Sequence, residues 1–398
     1  MRRSLEQIAE DLKEDKNKIN AREEGESAVK VQLIYAFNGN GKTRLSREFK
    51  ELISPKDEEA AKIKALYYNA FTEDLFYWDN DLNSDTNRKL IIRPNNFTSL
   101  VLKDLGQEPN IIEKFQHYTS DKLTPLFNEE YEIRNEREEI IKIPAYSEVT
   151  FSIDSGDDNN IPNAKISKGE ESNFIWCIFC SLLDQVIETL NTVELDNRVT
   201  DIFNNLEYVF IDDPVSSLDD NHLIELAVNI AELIKSSQSE IKFIITTHNP
   251  LFFNVLFNEF KKPKFKKYIL SKLEDGNYDL ISQNNDSPFA YHLHIFSFLK
   301  DTAVSGNIEK YHFHLLRNLL EKTSTFLNFH DWGELIRKTP LKDETPYVKR
   351  ILNLTSHSKN SGDESHIVKE GDKRIFKRIL KDIIETFNFN IDTASINI

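Results

Sequence analysis

The sequence is poor in cysteine, and this scarcity excludes two kinds of protein. Among 398 residues only Cys177 and Cys180 are cysteines, and they form a CxxC inside the apolar run 174–183. Two cysteines cannot build a disulfide framework, and one CxxC supplies at most half of a zinc site. We therefore expect two buried core cysteines on a helix, rather than a redox or metal-binding pair.

Long apolar runs and positive net charge are missing as well. No run approaches the roughly 20 apolar residues that cross a bilayer, and the segment 1–6 carries no apolar stretch of a secretory signal. We expect a cytoplasmic protein that makes no membrane contact. The net charge of −16 repels nucleic acid in general, which argues against a nonspecific polyanion binder.

The charge is distributed unevenly along the chain. From Ala290 to the last residue there are 16 Lys and Arg against 14 Asp and Glu, a net charge of +2, so the preceding part carries −18. Seven of the ten histidines also lie in this last stretch. The difference indicates a separate C-terminal domain that makes selective contact with a polyanion.

Apolar strand patterns alternate with helical patterns in the first two thirds of the chain, which predicts a largely parallel α/β sheet. The predicted strands are 31–36, 65–69, 207–211 and 241–247. From about residue 291 helical periodicity dominates. We predict a helical or flexible lead-in at 1–28, a first domain at 29–270 with a short helical insertion near 100–150, and a C-terminal domain at 271–398.

A phosphate-binding loop follows the first predicted strand. Residues 36–43 match GxxxxGK[ST] at every fixed position except the first, where Ala36 replaces glycine. In such a loop the backbone N–H groups cradle the phosphates, so Lys42 would meet the β- and γ-phosphates and Thr43 would coordinate Mg²⁺. The predicted nucleotide-binding residues of the loop are Asn38, Gly39, Asn40, Gly41, Lys42 and Thr43.

A second nucleotide motif ends the apolar strand 207–211 in two carboxylates. Asp212 is predicted to hold Mg²⁺ together with Thr43. Asp213 occupies the position where ABC ATPases carry a catalytic glutamate that orients the attacking water. Its shorter side chain implies either a changed loop or slow hydrolysis.

Three further motifs occur in the order that ABC ATPases show. Residues 166–171 resemble the ABC signature and contribute Ser167 and Gly169, residues 214–219 resemble the D-loop with Asp219, and His248 follows a strand as the switch histidine does. Residues 69–74 are either a Q-loop equivalent or a core-lining turn. The signature serine of one subunit binds the phosphate held by another, so we expect a homodimer or a dimer of dimers.

The C-terminal domain offers a metal-free RNA-cleaving set. Arg317 and Glu321 lie four residues apart on one predicted helix, which by itself is more typical of a surface ion pair. His357 follows an apolar helix in a polar turn, and an Arg, a Glu and a His suffice for acid–base cleavage of RNA. Arg350 precedes His357 by seven positions, which resembles HEPN ribonucleases; it is a second phosphate contact or one more surface arginine.

Across nearly its whole length the chain resembles the PrrC family of tRNA anticodon nucleases. The resemblance extends over the ATPase motifs, residues 67–80 and 168–176, and most of the C-terminal region. It predicts an α/β ABC-type P-loop ATPase head followed by a mainly α-helical nuclease domain. It also implies a catalytic triad of Arg317, Glu321 and His357.

The resemblance carries further expectations about substrate, effectors and partners. It implies cleavage of a tRNA anticodon loop, that of tRNA-Lys, giving 2′,3′-cyclic phosphate and 5′-hydroxyl ends without a metal at the nuclease site. ATP or GTP with Mg²⁺ would drive the ATPase, dTTP would be an effector, and a type I DNA restriction–modification complex would silence the enzyme until phage infection. Asp286 and Ser287 would contact substrate, with Phe289 or Tyr291 stacking on loop bases. The alternative interpretation is that the segment 285–292 is a plain linker between domains.

Two other functions fit part of the pattern. A DNA-repair ATPase of the structural-maintenance class shares these head motifs, but the interval from Lys42 to Ser167 is too short for long coiled-coil arms. A noncatalytic nucleotide-dependent sensor would keep the ATPase and use the C-terminal domain only for interaction. Cleavage of tRNA by the purified protein separates these alternatives.

Overall fold

A computed structural model of the chain divides into two compact units, Met1–Pro288 and Phe289–Ile398. The residues that the structure describes are 2–14, 16–17, 27–55, 63–81, 86–134, 138–154, 160–214, 220–260, 265–273, 275–283, 291–344, 346, 348–349, 368–389 and 396.

A six-stranded sheet forms the centre of the first unit, in the order β15-β14-β3-β13-β12-β4. All neighbouring strands are parallel except β14 and β15, which form an antiparallel pair at one edge. The strands of this sheet are β3 (Val31–Tyr35), β4 (Ala65–Tyr68), β12 (Tyr208–Asp212), β13 (Lys242–Thr247), β14 (Phe265–Lys272) and β15 (Tyr278–Ser282). The motifs at the carboxyl ends of β3, β12 and β13 therefore meet at one edge of the sheet.

A second, antiparallel sheet and two small ribbons complete the strands of this unit. In the second sheet the order is β11-β10-β6-β5, with β7 also paired to β10. Its strands are β5 (Phe76–Asp79), β6 (Lys89–Ile92), β7 (Leu123–Phe127), β10 (Glu148–Asp154) and β11 (Asn160–Ile161). The ribbons are β1 (Lys16–Asn17) with β2 (Ser27–Ala28), and β8 (Tyr131–Arg134) with β9 (Ile140–Ile143).

Helices cover the sheets of the first unit. They are α1 (Leu5–Glu14), α2 (Lys42–Ile53), α3 (Ala70–Glu73), α4 (Asn96–Ser99), α5 (Glu108–Tyr118), α6 (Lys168–Asn191), α7 (Asp220–Ser236) and α8 (Pro250–Glu259), with a π-helical turn at Leu100–Asp104 and a 3-10 turn at Leu195–Asn197. By length and composition α6 could cross a membrane, but 83% of its apolar window is buried inside the protein. Buried Cys177 and Cys180 lie on this helix, which identifies it as a core helix.

The second unit is helical in the residues described there. Its helices are α9 (Tyr291–Ser305), α10 (Lys310–Phe326), α11 (Trp332–Arg337) and α12 (Glu370–Thr386), with a 3-10 turn at Lys342–Glu344. Their apolar faces share one core, in which Phe313 of α10 packs edge-on against Phe376 of α12 with ring centroids 5.1 Å apart. The predicted order, an α/β P-loop head followed by a helical region, is confirmed.

Two details of the predicted domain plan differ from the structure, and a third gains a contact. The predicted limit at 270 falls inside β14, because the β14–β15 hairpin completes the central sheet. The predicted helical or flexible lead-in contains the helix α1, which buries Leu5, Ile8 and Leu12 in the core beneath α2. The predicted helical insertion near 100–150 holds α5 but also strands, including the β8–β9 hairpin.

Candidate nucleotide and nuclease sites

The phosphate-binding loop leads from β3 into α2 through two left-handed glycines. Gly39 has φ 84° and Gly41 has φ 86°, a region that residues with a Cβ rarely adopt. Gly41 is the N-cap of α2, so no capping side chain covers the first N–H groups of the helix. This end of α2 thus has the form of an anion-binding helix terminus.

Lys42 lies at the centre of the loop with little exposure. Its Nζ donates to the carbonyl oxygen of Ala36 and to Oδ1 of Asn38, both at 3.2 Å. The same nitrogen lies 3.5 Å from Oδ2 of Asp213. The lysine side chain is only 7% exposed, and these three oxygens surround its charge.

Asp212 at the end of β12 makes the contacts of a magnesium-site carboxylate. Thr43 Oγ1 donates to its Oδ2 at 2.7 Å, and Thr246 Oγ1 donates to its Oδ1 at 2.5 Å. Burial raises the pKa of Asp212 above its ordinary value, against the opposing effect of these two hydrogen bonds. A buried carboxylate beside a threonine hydroxyl fits Mg²⁺, which prefers oxygen ligands and would offset the buried charge.

Asp213 and His248 form a close pair beside Lys42. His248 Nδ1 lies 2.5 Å from Oδ2 of Asp213, and the backbone N–H of His248 donates to Oδ1 at 3.3 Å. Burial alone would raise the pKa of Asp213, but the hydrogen bonds and charge of His248 and the charge of Lys42 together hold it below its ordinary value. Asp213 is therefore an ionised carboxylate at neutral pH.

The structure adds residues that the motifs did not indicate. Thr246 contacts Asp212 because β12 and β13 pair in register at these two positions. Tyr278 of β15 lies against the loop, where a Cβ on Gly41 would come within 3.0 Å of its ring, and Arg44 Nη1 donates to its Oη at 3.3 Å. Thr246 precedes the histidine motif in the sequence, whereas no local signal marks Tyr278.

The signature segment begins α6. Ser167 is the exposed N-cap, and its hydroxyl accepts the N–H of Glu170, whose carboxylate accepts the N–H of Ser167 in return. Gly169 lies in the first turn. Glu171 is buried and accepts hydrogen bonds from Trp78 Nε1 at 2.8 Å and from Lys168. The serine is thus fixed at the start of the longest helix of the unit.

Asn69, the Q-loop candidate, is tied to the P-loop helix. Its Nδ2 donates to Tyr67 Oη at 2.7 Å, and that hydroxyl lies 2.6 Å from Ser46 Oγ on α2. The backbone N–H of Asn69 also donates to Thr72 Oγ1 at 3.2 Å, within a short capping box. Asn69 therefore takes part in a polar chain that ends one turn after Thr43.

In the second unit the predicted pair on α10 is in contact. Arg317 Nε donates to Oε1 of Glu321 at 2.8 Å, with the arginine side chain 24% exposed and the glutamate 47% exposed. Of the other predicted site residues, six lie outside the described residues: Asp219, Asp286, Ser287, Phe289, Arg350 and His357.

The fold and the nucleotide site define an ABC-type P-loop ATPase head. A family model described as an AAA domain matches residues 150–385, more than half of the chain. Among solved structures, the chain is similar to an Smc head bound to the C-winged helix domain of ScpA (TM-score 0.32, 13% identity, 65% of this chain and 90% of that one). It is also similar to an ATP-binding cassette of an ABC transporter in its ADP conformation (TM-score 0.29, 12% identity, 66% of this chain and 85% of that one).

Comparison with one relative identifies the family within this class of ATPase. The chain is 50% identical over 383 residues to an anticodon nuclease of Escherichia coli, a match that covers 91% of each protein. The chain belongs to the anticodon nuclease family.

Proposed function

We propose that the chain is a nucleotide-gated endoribonuclease that cleaves a tRNA anticodon loop. The observation that carries the proposal is the 50% identity, over nine tenths of both chains, to an anticodon nuclease. The Arg317–Glu321 contact supports it, because both side chains of a metal-free cleaving pair lie together on one helix. The structural-maintenance and sensor alternatives account for the head but not for this likeness.

The proposed chemistry needs three side chains and no metal. The ribose 2′-hydroxyl attacks the adjacent phosphorus as a base takes its proton, and an acid protonates the departing 5′-oxygen. Arg317 stabilises the dianionic phosphorane. Glu321 and His357 share the acid and base roles in an order left open, and Arg350 adds a second phosphate contact. The products are a 2′,3′-cyclic phosphate and a 5′-hydroxyl, and the substrate is tRNA-Lys.

Nucleotide hydrolysis in the first unit would set the state of the nuclease. ATP or GTP would bind the loop through Lys42, and Mg²⁺ would be held by Thr43 and Asp212. Bound Mg²⁺ supplies positive charge at the β- and γ-phosphates, while Asp213 orients the attacking water. Across a homodimer or dimer of dimers, Ser167, Gly169 and Asp219 would complete the site of a partner subunit, and dTTP would act as an effector.

The proposed biological role follows from the family resemblance. The enzyme would act in the cytoplasm, held latent by a type I DNA restriction–modification complex and released on phage infection. Asp286 and Ser287 would help select the tRNA. In this role cleavage of an essential tRNA stops translation in the infected cell.

The test is cleavage of a total tRNA pool by the purified full chain, read by sequencing of the new ends. We expect one dominant cut in an anticodon loop, retained when Mg²⁺ is chelated after nucleotide activation. Arg317→Ala and His357→Ala should abolish the cut and leave nucleotide hydrolysis unchanged. Lys322→Ala, beside the pair on α10, is the matched control. Intact tRNA with an active parent ATPase would refute the proposal.

A further inference from the structure

The last described helix, α12, concentrates positive charge. Between Lys373 and Lys381, five of nine residues are Lys or Arg and none is acidic, in a chain whose net charge is −16. These five are Lys373, Arg374, Lys377, Arg378 and Lys381. The acidic residues of the helix lie near its two ends instead, at Glu370, Asp372, Asp382 and Glu385.

The spacing of these cations places them on one side of the helix. At about 100° per residue they fall within an arc of roughly 140°, over a length of about 12 Å. The buried residues Phe376, Ile379, Leu380, Ile383 and Ile384 centre on a different side of the helix, next to that arc. Arg374 is exposed and the other four cations are half-buried, so all five reach solvent, and we call them the α12 cationic face.

The ion pairs of this face within the helix differ in exposure. Lys373 Nζ lies 2.8 Å from Glu370, whose side chain is 79% exposed, and Arg378 Nε lies 4.0 Å from Asp382, whose side chain is 13% exposed. An exposed pair such as Lys373–Glu370 is weak, so a phosphate can replace the glutamate carboxylate at little cost. Arg374 is exposed.

Packing ties the cationic face to the helix of the proposed nuclease pair. Phe376 lies on the buried side of α12 and packs edge-on against Phe313 of α10, and both rings are fully buried. One turn after Phe313, α10 carries Arg317, which contacts Glu321. The cationic face and the Arg317–Glu321 pair therefore lie on two helices that share one packed core.

The composition of the face favours a polyanion over a protein partner. A protein interface is usually centred on a buried aromatic or apolar anchor surrounded by polar groups. Here the five residues of the face are all long cations that reach solvent, which suit sequence-independent contact with successive phosphates. The acidic remainder of the chain makes such a local concentration of positive charge necessary for RNA to approach.

We propose that the α12 cationic face binds the phosphodiester backbone of the substrate RNA and positions it for cleavage. The inference rests on the proposed function and adds to it a binding surface outside the Arg317, Glu321 and His357 set. Because phosphate contacts carry no base information, the face contributes affinity and orientation, while the choice of tRNA is made elsewhere.

The test is the salt dependence of tRNA binding by the full chain. Kd for a purified tRNA is measured from low to moderate salt with Arg374→Gln/Lys377→Gln, in a His357→Ala background that prevents cleavage. Loss of two phosphate contacts should lower the slope of log K against log salt by about 1.4 to 1.8 and weaken binding about tenfold or more. In the cleaving chain, kcat/KM should fall, mainly through a higher KM, and the cut position should stay the same.

Two further variants separate this outcome from general effects. Lys310→Gln/Lys338→Gln removes the same charge from exposed positions of the same unit and should leave the slope at the parent value. Arg374→Lys/Lys377→Arg keeps the charge and should also keep the slope of the parent. The inference is wrong if Arg374→Gln/Lys377→Gln leaves the slope unchanged while the parent cleaves tRNA. It is also wrong if Lys310→Gln/Lys338→Gln lowers the slope by the same amount. Neither result contradicts the proposed function. A parent that neither binds nor cuts tRNA would overturn the proposed function as well.

Discussion

Oδ2 of Asp213 lies 2.5 Å from Nδ1 of His248, and the same oxygen lies 3.5 Å from Nζ of Lys42. The carboxylate of Asp213 thus lies between His248 and Lys42. Asp213 reaches this place with a left-handed backbone, at φ 54°, which a residue with a Cβ adopts at some cost. The backbone conformation accompanies the shorter side chain at a position where ABC ATPases carry glutamate.

This arrangement gives Asp213→Asn a specific expected effect. The variant should hydrolyse nucleotide about 100-fold or more slowly, because it loses the carboxylate that we propose to orient the attacking water. Its affinity for nucleotide should be equal or tighter, since Lys42 no longer faces a competing negative charge. Separate measurements of Kd and steady-state turnover test both parts, with Asp184→Asn as a control acid on α6. Turnover at the parent rate would show that another residue positions the water.

A second prediction concerns the close approach of Tyr278 to Gly41. Gly41→Ala should weaken nucleotide binding about tenfold or more, because the new Cβ would lie 3.0 Å from the tyrosine ring at a residue with φ 86°. Gly276→Ala has the same backbone strain, with φ 82°, but nothing within 4 Å of its Cβ. It should cost about 1 kcal/mol of stability and leave binding unchanged. Equal binding by both variants would deny the steric role of Tyr278.

The sequence indicated the strands of the ATPase head most accurately where a nucleotide-binding motif follows the end of a strand. The predicted strands 31–36 and 241–247 match β3 and β13 within a residue, because buried parallel strands are continuous apolar runs. Residues 36–43, Asp212, Asp213 and His248 come together because parallel strands bring their carboxyl ends to one edge. Thr246 could have been found by the same reasoning once its strand was placed beside Asp212.

Other elements depend on contacts between residues distant in the sequence, which a local sequence pattern does not indicate. The stretch 128–139 is rich in Glu and Arg and was predicted to be helical, yet Tyr131–Arg134 pairs with Ile140–Ile143. Asn128 fixes the base of that hairpin by accepting the N–H groups of Ser147 and Glu148. Tyr278 meets the P-loop only through the β14–β15 edge of the sheet. Such tertiary contacts override helix propensity.

A third prediction concerns the two cysteines, whose burial on α6 was expected from the sequence and is confirmed. Burial raises the pKa of Cys180 to about 12, with the charge of Asp184 acting in the same direction. Burial raises that of Cys177 well above its ordinary value. Because the thiolate is the reactive form, the folded protein should not react with a thiol reagent at pH 8. Labelling should appear only in denaturant, in step with unfolding followed by circular dichroism. Rapid labelling of the folded chain would contradict the burial.

The last prediction is a pH dependence of stability that arises from His312. This buried histidine closes the first turn of α10, where its Nδ1 accepts the backbone N–H of Glu309 at 2.8 Å. Burial lowers the pKa of His312, more than the charge of Glu309 raises it. Between this lowered value and the unfolded value of about 6.5, the unfolded chain binds more protons than the folded one. Stability from this residue is therefore complete above about pH 6.5 and declines as the pH falls below it.

The measurement is thermal unfolding of the parent and His312→Gln at pH 8, 6.5 and 5.5. Glutamine can accept the same N–H in a capping box but does not titrate, so the variant should lose less stability than the parent between pH 8 and 5.5. His314→Gln, an exposed histidine two residues along the same helix, is the control and should keep the parent's pH dependence. If His312→Gln and the parent lose stability equally on acidification, protonation of His312 is not what weakens the fold at low pH.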